Sequence, residues 1–253
     1  MIFIHDHTFI IKNGRYYTSG SLNNKLFQRY KNCFGEVTVF AVERPATEDD
    51  TRHICEQNEV DCVHFTLVEK RNNLFSIIKN RKKVKQAVLN HDYLIIRLPS
   101  VYGIMAIIYA RKLNKPYLIE MVGCPWDAFW NHSWKGKLVA PFMWYVTKKA
   151  VKNAPYVLYV SSNFLQKRYP NNFNNISCSD VDLQPVKQDV LDQRLEKIKN
   201  MNKNKPLVLC TIANVDVKYK RQDLVIKAIS ELNIQGYNFE YRLVGGGDKA
   251  RLQ

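Results

Sequence analysis

Residues 93–122, YLIIRLPSVYGIMAIIYARKLNKPYLIEMV, place a helix-length apolar segment between two strand-length apolar runs. The runs at 93–96 and 117–122 are apolar at nearly every position rather than at every second one. This pattern is typical of strands that are buried on both faces, as in a parallel sheet covered by helices. The segment 101–113 between them has the length of a helix. The stretch therefore predicts a strand–helix–strand unit with parallel strands.

The same alternation continues on both sides of this unit. Further strands are predicted at 2–4, 37–42, 62–65 and 156–160. Further helices are predicted at 21–34, 74–89, 135–152 and 163–169. Strands that alternate with helices in this way indicate a doubly wound α/β domain built around one parallel sheet.

A polar, asparagine-rich stretch from 170 to 188 separates this domain from a second strand–helix pattern. In that second part, a charged helix is predicted at 190–201, a strand at 207–212, a helix at 221–232 and a strand at 239–244. We therefore predict a first domain at 1–187, a linker helix region at 188–205 and the start of a second α/β domain at 206–253. Two strands and one helix leave much of their sheet surface uncovered, so we expect the second domain to be incomplete.

The composition is that of a globular protein, since 46% of the residues are hydrophobic and 24% are charged. A net charge of +15 favours phosphates, nucleic acid or anionic lipid as partners, but a lysine-rich genomic composition would also explain it. The six cysteines include no C-x-x-C pair, so neither a metal site nor a disulfide framework is expected. No apolar run approaches the roughly 18 residues of a membrane span, and the predicted location is the cytoplasm.

Three loops are candidate ligand sites, because ligands of open α/β sheets bind beyond the carboxyl ends of the strands. The first is the segment 18–21, which is predicted to follow a long loop after the first strand and to open the first helix. Free N–H groups at the start of that helix could bind an anion, and Gly20 would let the backbone approach a phosphate. A serine or threonine cap on that helix, without any ligand, is the alternative.

The other two loops lie in the second domain. In the segment 214–223, Lys218, Lys220 and Arg221 stand at the start of a predicted helix. Cations at that position oppose the helix dipole, which suggests an anion as a ligand, and an ordinary solvated charge run is the alternative. The third loop is the glycine run 245–247 after the last predicted strand, which permits close approach of a ligand but also fits a flexible end of the chain.

All four tryptophans lie between Pro125 and Tyr145, in a segment that also contains several lysines. Tryptophan with lysine is the composition of a membrane-interface element. The residues assigned to such a surface are Trp126, Trp130, Trp134, Lys135 and Lys137. The alternative is that the aromatic rings pack beneath the sheet, where most tryptophan surface is usually buried.

Two segments of the second domain resemble a known family. The residues KRQDLVIKA at 220–228 and YRLVGGG at 241–247 are similar to motifs of the retaining glycosyltransferases of family 4, of the bacterial polysaccharide-assembly type. Segments 16–22, 29–30 and 160–165 add a weaker similarity in the first domain. The resemblance implies the GT-B architecture, with two Rossmann-like domains that face each other across a cleft, the second of them truncated in this chain.

The resemblance also implies an activity and its partners. The expected reaction moves a sugar from a nucleotide diphosphate sugar to a saccharide acceptor, expected to be lipid-linked, in surface polysaccharide synthesis. Neither a cofactor nor a metal ion is expected, because positive groups would stabilise the departing diphosphate. The family's Glu-x7-Glu motif would lie beyond Gln253, so the activity of this chain is expected to be impaired.

The roles that the resemblance assigns fall on both domains. Lys220 corresponds to the diphosphate-binding lysine. Glu120 and Asp127 are the candidate sugar contacts. The donor-binding set is Ser19, Gly20, Asn214, Lys218, Lys220, Gly245 and Gly247. Asn214 stands where the family has arginine, and Lys218 is its candidate substitute.

A second function class stays open at this point. A non-catalytic basic module could use the charge of +15 to hold anionic lipid or nucleic acid. The sequence contains no recognisable nucleic-acid-binding motif, so no nucleic-acid partner is expected.

Overall fold

The computed structural model describes residues 1–20, 22–48, 50, 58–70, 77, 79–181, 185–202, 205–215 and 220–247. The chain forms two compact units, residues 1–180 and 181–253. The domain boundaries predicted at 187 and 205 stay predictions.

The first unit is built around one largely parallel sheet. Its strands are β1 (Ile2–Lys12), β2 (Arg15–Tyr17), β3 (Thr38–Pro45), β4 (His64–Glu69), β5 (Leu94–Leu98), β6 (Tyr117–Met121), β7 (Tyr156–Tyr159) and β8 (Asn174–Ser177). The strand order is β4-β3-β1-β5-β6-β7-β8, and each of these neighbours pairs in parallel. The predicted α/β class with a parallel sheet is confirmed.

Helices cover this sheet on both faces. They are α1 (Asn24–Phe34), α2 (Arg81–Leu89), α3 (Val101–Lys112), α4 (Pro125–His132), α5 (Trp134–Lys152) and α6 (Phe164–Arg168). Ile2 and Ile4 of β1 belong to a core shared with α2, α3 and α5. Phe3, between them, belongs to a second core that includes Phe27 of α1. Alternate residues of β1 thus enter opposite cores, which explains the continuous apolar run.

The first strand is longer than the sequence predicted. The prediction of a long loop after residue 4 is wrong. β1 continues to Lys12 and turns at Asn13 and Gly14 into β2, which pairs with it in antiparallel register. Both turn residues have positive φ, 51° and 74°, which an Asn-Gly hairpin turn requires. The pairing of β1 with β3 shifts between Ile4 and Thr8, so a bulge interrupts the strand at residues 5–7.

Part of the asparagine-rich stretch, which was predicted to be a connection between domains, forms a strand. Asn174–Ser177 forms β8, an exposed edge strand that pairs in parallel with β7. The side chain of Asn171 precedes it and donates to the carbonyl oxygens of Val151 and Ala154, at 2.8 and 2.9 Å. An edge strand needs main-chain partners on only one side, and its side chains can stay polar.

The second unit contains a short helix and a strand–helix–strand element. Its elements are α7 (Val190–Lys199), β9 (Leu207–Ile212), α8 (Gln222–Ile234) and β10 (Phe239–Val244). β9 and β10 pair in parallel from Leu207 with Phe239 to Ile212 with Val244. The strands and the helix predicted for this part of the chain are confirmed.

Asp6, at the bulge of β1, supplements Ser100, the N-cap residue of α3. Its carboxylate accepts hydrogen bonds from the Ser100 hydroxyl and from the backbone N–H groups of Val101 and Tyr102, at 2.7, 2.5 and 3.0 Å. Ser100 Oγ in turn accepts from the N–H of Gly103 at 2.7 Å. The first turn of α3 is therefore fixed to the central strand by one side chain.

We expect Asp6→Ala to lower the free energy of unfolding by about 2 kcal/mol, because it leaves buried N–H groups without an acceptor. Urea unfolding followed by circular dichroism measures this change. The control is Asp92→Ala, which removes a carboxylate that is 89% exposed and paired with Lys115 at 3.3 Å. It should cost less than about 0.5 kcal/mol. Equal losses in the two variants would contradict the capping role.

Candidate functional site

The first candidate site lies at the carboxyl ends of β1, β5 and β6. β1 pairs with β3 on one side and with β5 on the other, so the strand order reverses at this point of the sheet. In open α/β sheets the crevice at such a reversal is where ligands bind. The side chains that line it come from α1, from β5, β6 and β7, and from the residues after β8.

A buried ion pair forms the base of this site. Arg97 of β5 and Glu120 of β6 are register partners, only 7% and 6% exposed, and their side chains lie 3.4 Å apart. Arg97 also contacts Asp180 at 3.1 Å. The Tyr30 hydroxyl of α1 donates to the second oxygen of Glu120 at 2.5 Å. The guanidinium group of Arg97 is thus paired with two carboxylates, and the Tyr30 hydroxyl has a carboxylate acceptor.

This cluster opens into a cavity of about 190 Å³ whose lining includes Arg97, Glu120, Tyr30, Arg29 and Asp180. Burial raises the pKa of Glu120, against the opposing effects of the Tyr30 hydrogen bond and the Arg97 charge. Burial, and then the Glu120 charge, raise the pKa of Tyr30. The site thus offers carboxylate oxygens and a guanidinium group that are held in place before any ligand arrives.

Two histidines of the β1 bulge stand beside this cluster. Burial lowers the pKa of His5 to about 3, with the charge of Arg97 as the next cause. Burial also lowers the pKa of His7, followed by Arg97. The Nδ1 atom of His5 is buried and has no hydrogen-bond partner among the described residues. Both imidazoles are therefore neutral at pH 7.

The first predicted loop is folded against His7. Thr18 Oγ1 lies 2.8 Å from His7 Nε2 and accepts the N–H of Gly20 at 3.1 Å. A Cβ atom on Gly20 would lie 3.4 Å from the His7 ring. The structure thus brings Gly20 to the edge of the candidate site, and Ser19 precedes it in the same exposed turn.

The capping role expected of this loop is wrong. The cap of α1 is Asn23, whose Oδ1 accepts the N–H of Leu26 at 3.1 Å, and the helix begins at Asn24. The hydroxyl of Thr18 stabilises its own turn instead. Ser21, the last residue of the predicted loop, lies outside the described residues.

The two predicted sugar contacts have different partners. Glu120 belongs to the buried cluster, whereas Asp127 lies in the first turn of α4 and pairs with Arg168 at 3.2 Å. Both side chains of the Asp127 pair are partly exposed to solvent. Their roles toward a sugar stay predictions.

The second candidate site lies at the carboxyl ends of β9 and β10. The N–H of Ala213 donates to the carbonyl of Val244, and the N–H of Val215 donates to that of Gly246, both at 2.9 Å. The two loops that follow these strands are therefore in direct contact. Gly245 has a φ of 155°, and a Cβ atom there would lie 2.1 Å from the Ala213 oxygen.

The start of α8 is attached to the same pair of loops. Gln222 is fully buried, and its side-chain amide donates to the carbonyl of Asn214 at 3.0 Å. Exposed Lys220 directly precedes Arg221, the N-cap residue of α8, which has a φ of 56°. Asn214, Lys220 and Gly245 are thus brought to one edge. Gly247 follows in the loop with a φ of 111°, and Lys218 lies outside the described residues.

The tryptophan segment divides between the core and the surface. Trp126, which was assigned to the surface, packs against the core of the first unit, as Trp144 does. Trp130 and Trp134 are exposed, at 40% and 70%. The ammonium groups of Lys137 and Lys135 lie 5.6 Å from the ring centroids of Trp130 and Trp134, respectively. The membrane contact of the segment stays a prediction.

Sequence reasoning did not assign the residues that line the first site around Glu120. A signal was present, because Arg97 and Glu120 are the single charges within their apolar strands. Their pairing depends on the register of β5 against β6, which the sequence alone does not give. His5 and His7 were missed because the bulge was taken as part of a loop.

Comparison with known proteins gives one curated relative along the whole chain. Protein CapJ of Staphylococcus aureus is 30% identical over 258 residues, which cover 100% of this chain and 62% of CapJ. The chain thus spans less than two thirds of that relative's length. No protein-family model matches the chain.

The solved structures that resemble the chain do so at low identity. Sucrose-phosphate synthase from Thermosynechococcus elongatus is 12% identical with a TM-score of 0.49, over 98% of this chain and 62% of that protein. MnaA of S. aureus, solved with UDP, is 11% identical with a TM-score of 0.43, over 98% of this chain and 62% of MnaA.

The buried histidine predicts a specific loss of stability in acid. Unfolded His5 takes up a proton near pH 6.5, whereas folded His5 resists protonation down to about pH 3. The contribution of neutral His5 to the free energy of unfolding is therefore fully present above pH 6.5 and falls as the pH decreases toward 3. Between pH 7 and pH 5 we expect His5 to account for a loss of about 2 kcal/mol.

The measurement is urea unfolding at both pH values for the wild type, His5→Asn and the control His64→Asn. The His64 side chain is 72% exposed. We expect the stability difference between pH 7 and pH 5 to shrink in His5→Asn and to persist in His64→Asn. The same difference in all three proteins would refute a neutral, buried His5.

Adjacent glycines provide a matched test of the second site. Gly245→Ala should disrupt the contact between the loops after β9 and β10, because its Cβ would collide with a backbone oxygen. Gly246 has no atom within 4 Å of an added Cβ, so Gly246→Ala should be tolerated. Hydrogen exchange at the amides of Ala213 and Val215 measures the effect. Faster exchange in Gly245→Ala only is expected, and equal exchange in both variants would contradict it.

Proposed function

We propose that this protein is a glycosyltransferase that moves a sugar from a nucleotide diphosphate sugar to a lipid-linked saccharide in bacterial surface polysaccharide synthesis. We further propose that it is a retaining enzyme of family 4 with the GT-B architecture and acts in the cytoplasm. The observation that carries the proposal is the meeting of the Asn214 loop, the Gly245 loop and Lys220 at one edge of the β9–β10 sheet. The similarity of the whole chain to CapJ supports it.

The donor side of the proposal rests on the second unit. A departing nucleoside diphosphate gains negative charge, and a preorganised cation with backbone N–H groups stabilises that charge. Lys220 supplies the cation immediately before α8, whose N-terminus adds a partial positive charge. Gly245 keeps side-chain atoms away from the loop contact. In this mechanism Lys220 takes the place of a metal ion.

The acceptor side rests on the cavity of the first unit. The carboxylates of Glu120 and Asp180 are acceptors suited to sugar hydroxyls, and Arg97 holds both in place. Because the groups are fixed by buried contacts, a saccharide that binds there is oriented at little entropic cost. Neutral His5 and His7 add no positive charge that would compete with Arg97 for the carboxylates.

The decisive experiment measures nucleotide binding by isothermal titration calorimetry, with UDP, GDP and ADP as probes. We expect one of these diphosphates to bind, and Lys220→Ala to weaken its affinity by at least about tenfold, the cost of one charge-assisted contact. The matched control is Lys227→Ala, which removes an exposed lysine farther along α8. That variant should bind as the wild type does.

Two outcomes would contradict the proposal. One is the absence of binding for all three diphosphates. The other is an equal loss in Lys220→Ala and Lys227→Ala, which would indicate general charge attraction. Salt-sensitive DNA binding that does not depend on Lys220 would favour a basic binding module instead.

A further inference from the structure

The helix α5 has apolar residues on both its inward and its outward face. Gly136, Ala140 and Ala150 are buried against the unit, together with the larger Met143 and Val151. A Cβ atom on Gly136 would lie 2.1 Å from the carbonyl oxygen of Phe129 in α4, so the two helices are in close contact. A surface helix of a globular protein normally has one apolar stripe, toward the core, and a polar outer face.

The outward face forms a continuous apolar stripe. Trp134, Leu138, Phe142 and Tyr145 are between 60% and 73% exposed. Their spacing of four, four and three residues places them within about 80° of one another on the helix. We call these four residues the α5 stripe. Exposed apolar area of this kind marks an interaction surface.

Five lysines accompany the α5 stripe, and residues 134–152 contain no acidic residue. They are Lys135, Lys137, Lys148, Lys149 and Lys152. Lys135 lies over the Trp134 ring, and Lys148 lies 4.7 Å from the centroid of Trp144. The surface is therefore both apolar and strongly positive.

A groove at the end of α5 extends this surface. It has a volume of about 550 Å³ and is lined by Trp144, Tyr145, Lys148, Lys149, Lys152 and Asn153. Three ammonium groups beside two aromatic rings match the phosphate and the glycerol region of a phospholipid.

We propose that the α5 stripe and its lysines bind the surface of an anionic lipid bilayer. Tryptophan and tyrosine rings partition into the headgroup region, and lysine side chains extend past them to lipid phosphates. A protein partner fits less well, because lysine is depleted from protein–protein interfaces. Among the described residues, no helix is long and apolar enough to cross a membrane.

The test is flotation of the whole chain with phosphatidylcholine vesicles, with and without phosphatidylglycerol. We expect binding only to the anionic vesicles and at least about tenfold weaker partition in the double variant Trp134→Ser, Phe142→Ser. The control is Phe34→Ser with Tyr93→Ser, which removes another exposed aromatic pair, 6.1 Å apart. It should bind as the wild type does, and thermal melts check that both variants fold.

A second pair of variants tests the position of the positive charge. Both variants lower the net charge by the same amount. Lys135→Glu with Lys149→Glu should reduce binding by at least about tenfold. Lys82→Glu with Lys85→Glu, on the exposed side of α2, should leave binding nearly unchanged. Brominated lipids should quench the tryptophan fluorescence of the wild type and much less that of Trp134→Ser.

Three outcomes would overturn the proposal. They are the absence of binding to anionic vesicles, equal losses in the stripe variants and their controls, and a dimer that depends on Trp134 without any vesicle binding. None of these outcomes depends on nucleotide binding at Lys220. A failure here therefore leaves the proposed catalytic function to its own test.

Discussion

The first unit depends on the contact between Asp6 and the start of α3. The central strand β1 loses its regular pairing at residues 5–7, and the Asp6 carboxylate at this break accepts two backbone N–H groups and the Ser100 hydroxyl. The helix thus begins at a fixed point above the sheet. Because the strand is held there, His5 and His7 stay buried beside Arg97, and burial, followed by the Arg97 charge, lowers the pKa of both. The Asp6 contact therefore fixes both the start of α3 and the position of His5 and His7 beside the candidate site.

The buried Arg97–Glu120 pair is better explained by function than by stability. Removing two charges from water costs several kcal/mol, and a buried pair often returns no more than that. Here the cost is offset by the Tyr30 hydroxyl and by Asp180, which satisfy the remaining polar atoms. An apolar pair at the same register would stabilise the sheet equally well. Buried, fully partnered charge at the edge of a cavity is typical of a ligand site.

The sequence predicts the strands that are buried along their whole length. It misses the elements and contacts that depend on pairing with a neighbouring strand. Within residues 93–122, the strands β5 and β6 are buried at nearly every position, so their continuous apolar pattern identifies them. β8 is polar because it is an edge strand, and its pairing with β7 comes from the backbone. The hairpin at Asn13 and Gly14 had a recognisable turn signal, but the polar bulge before it interrupts the apolar run. The pairing of Arg97 with Glu120 needs a strand register that no local pattern contains.

The topology relates the α5 stripe to the cavity of the first unit. β6 ends at Met121, just after Glu120, and α4 begins four residues later at Pro125. The chain then enters α5 at Trp134 and returns along it to the start of β7. Trp134 is thus joined by the short helix α4 to the carboxyl edge of the sheet, where the cavity opens. On the proposed function and the proposed membrane contact, the Trp134 end of the α5 stripe is therefore the end that is nearer along the chain to the sheet edge where a saccharide would bind.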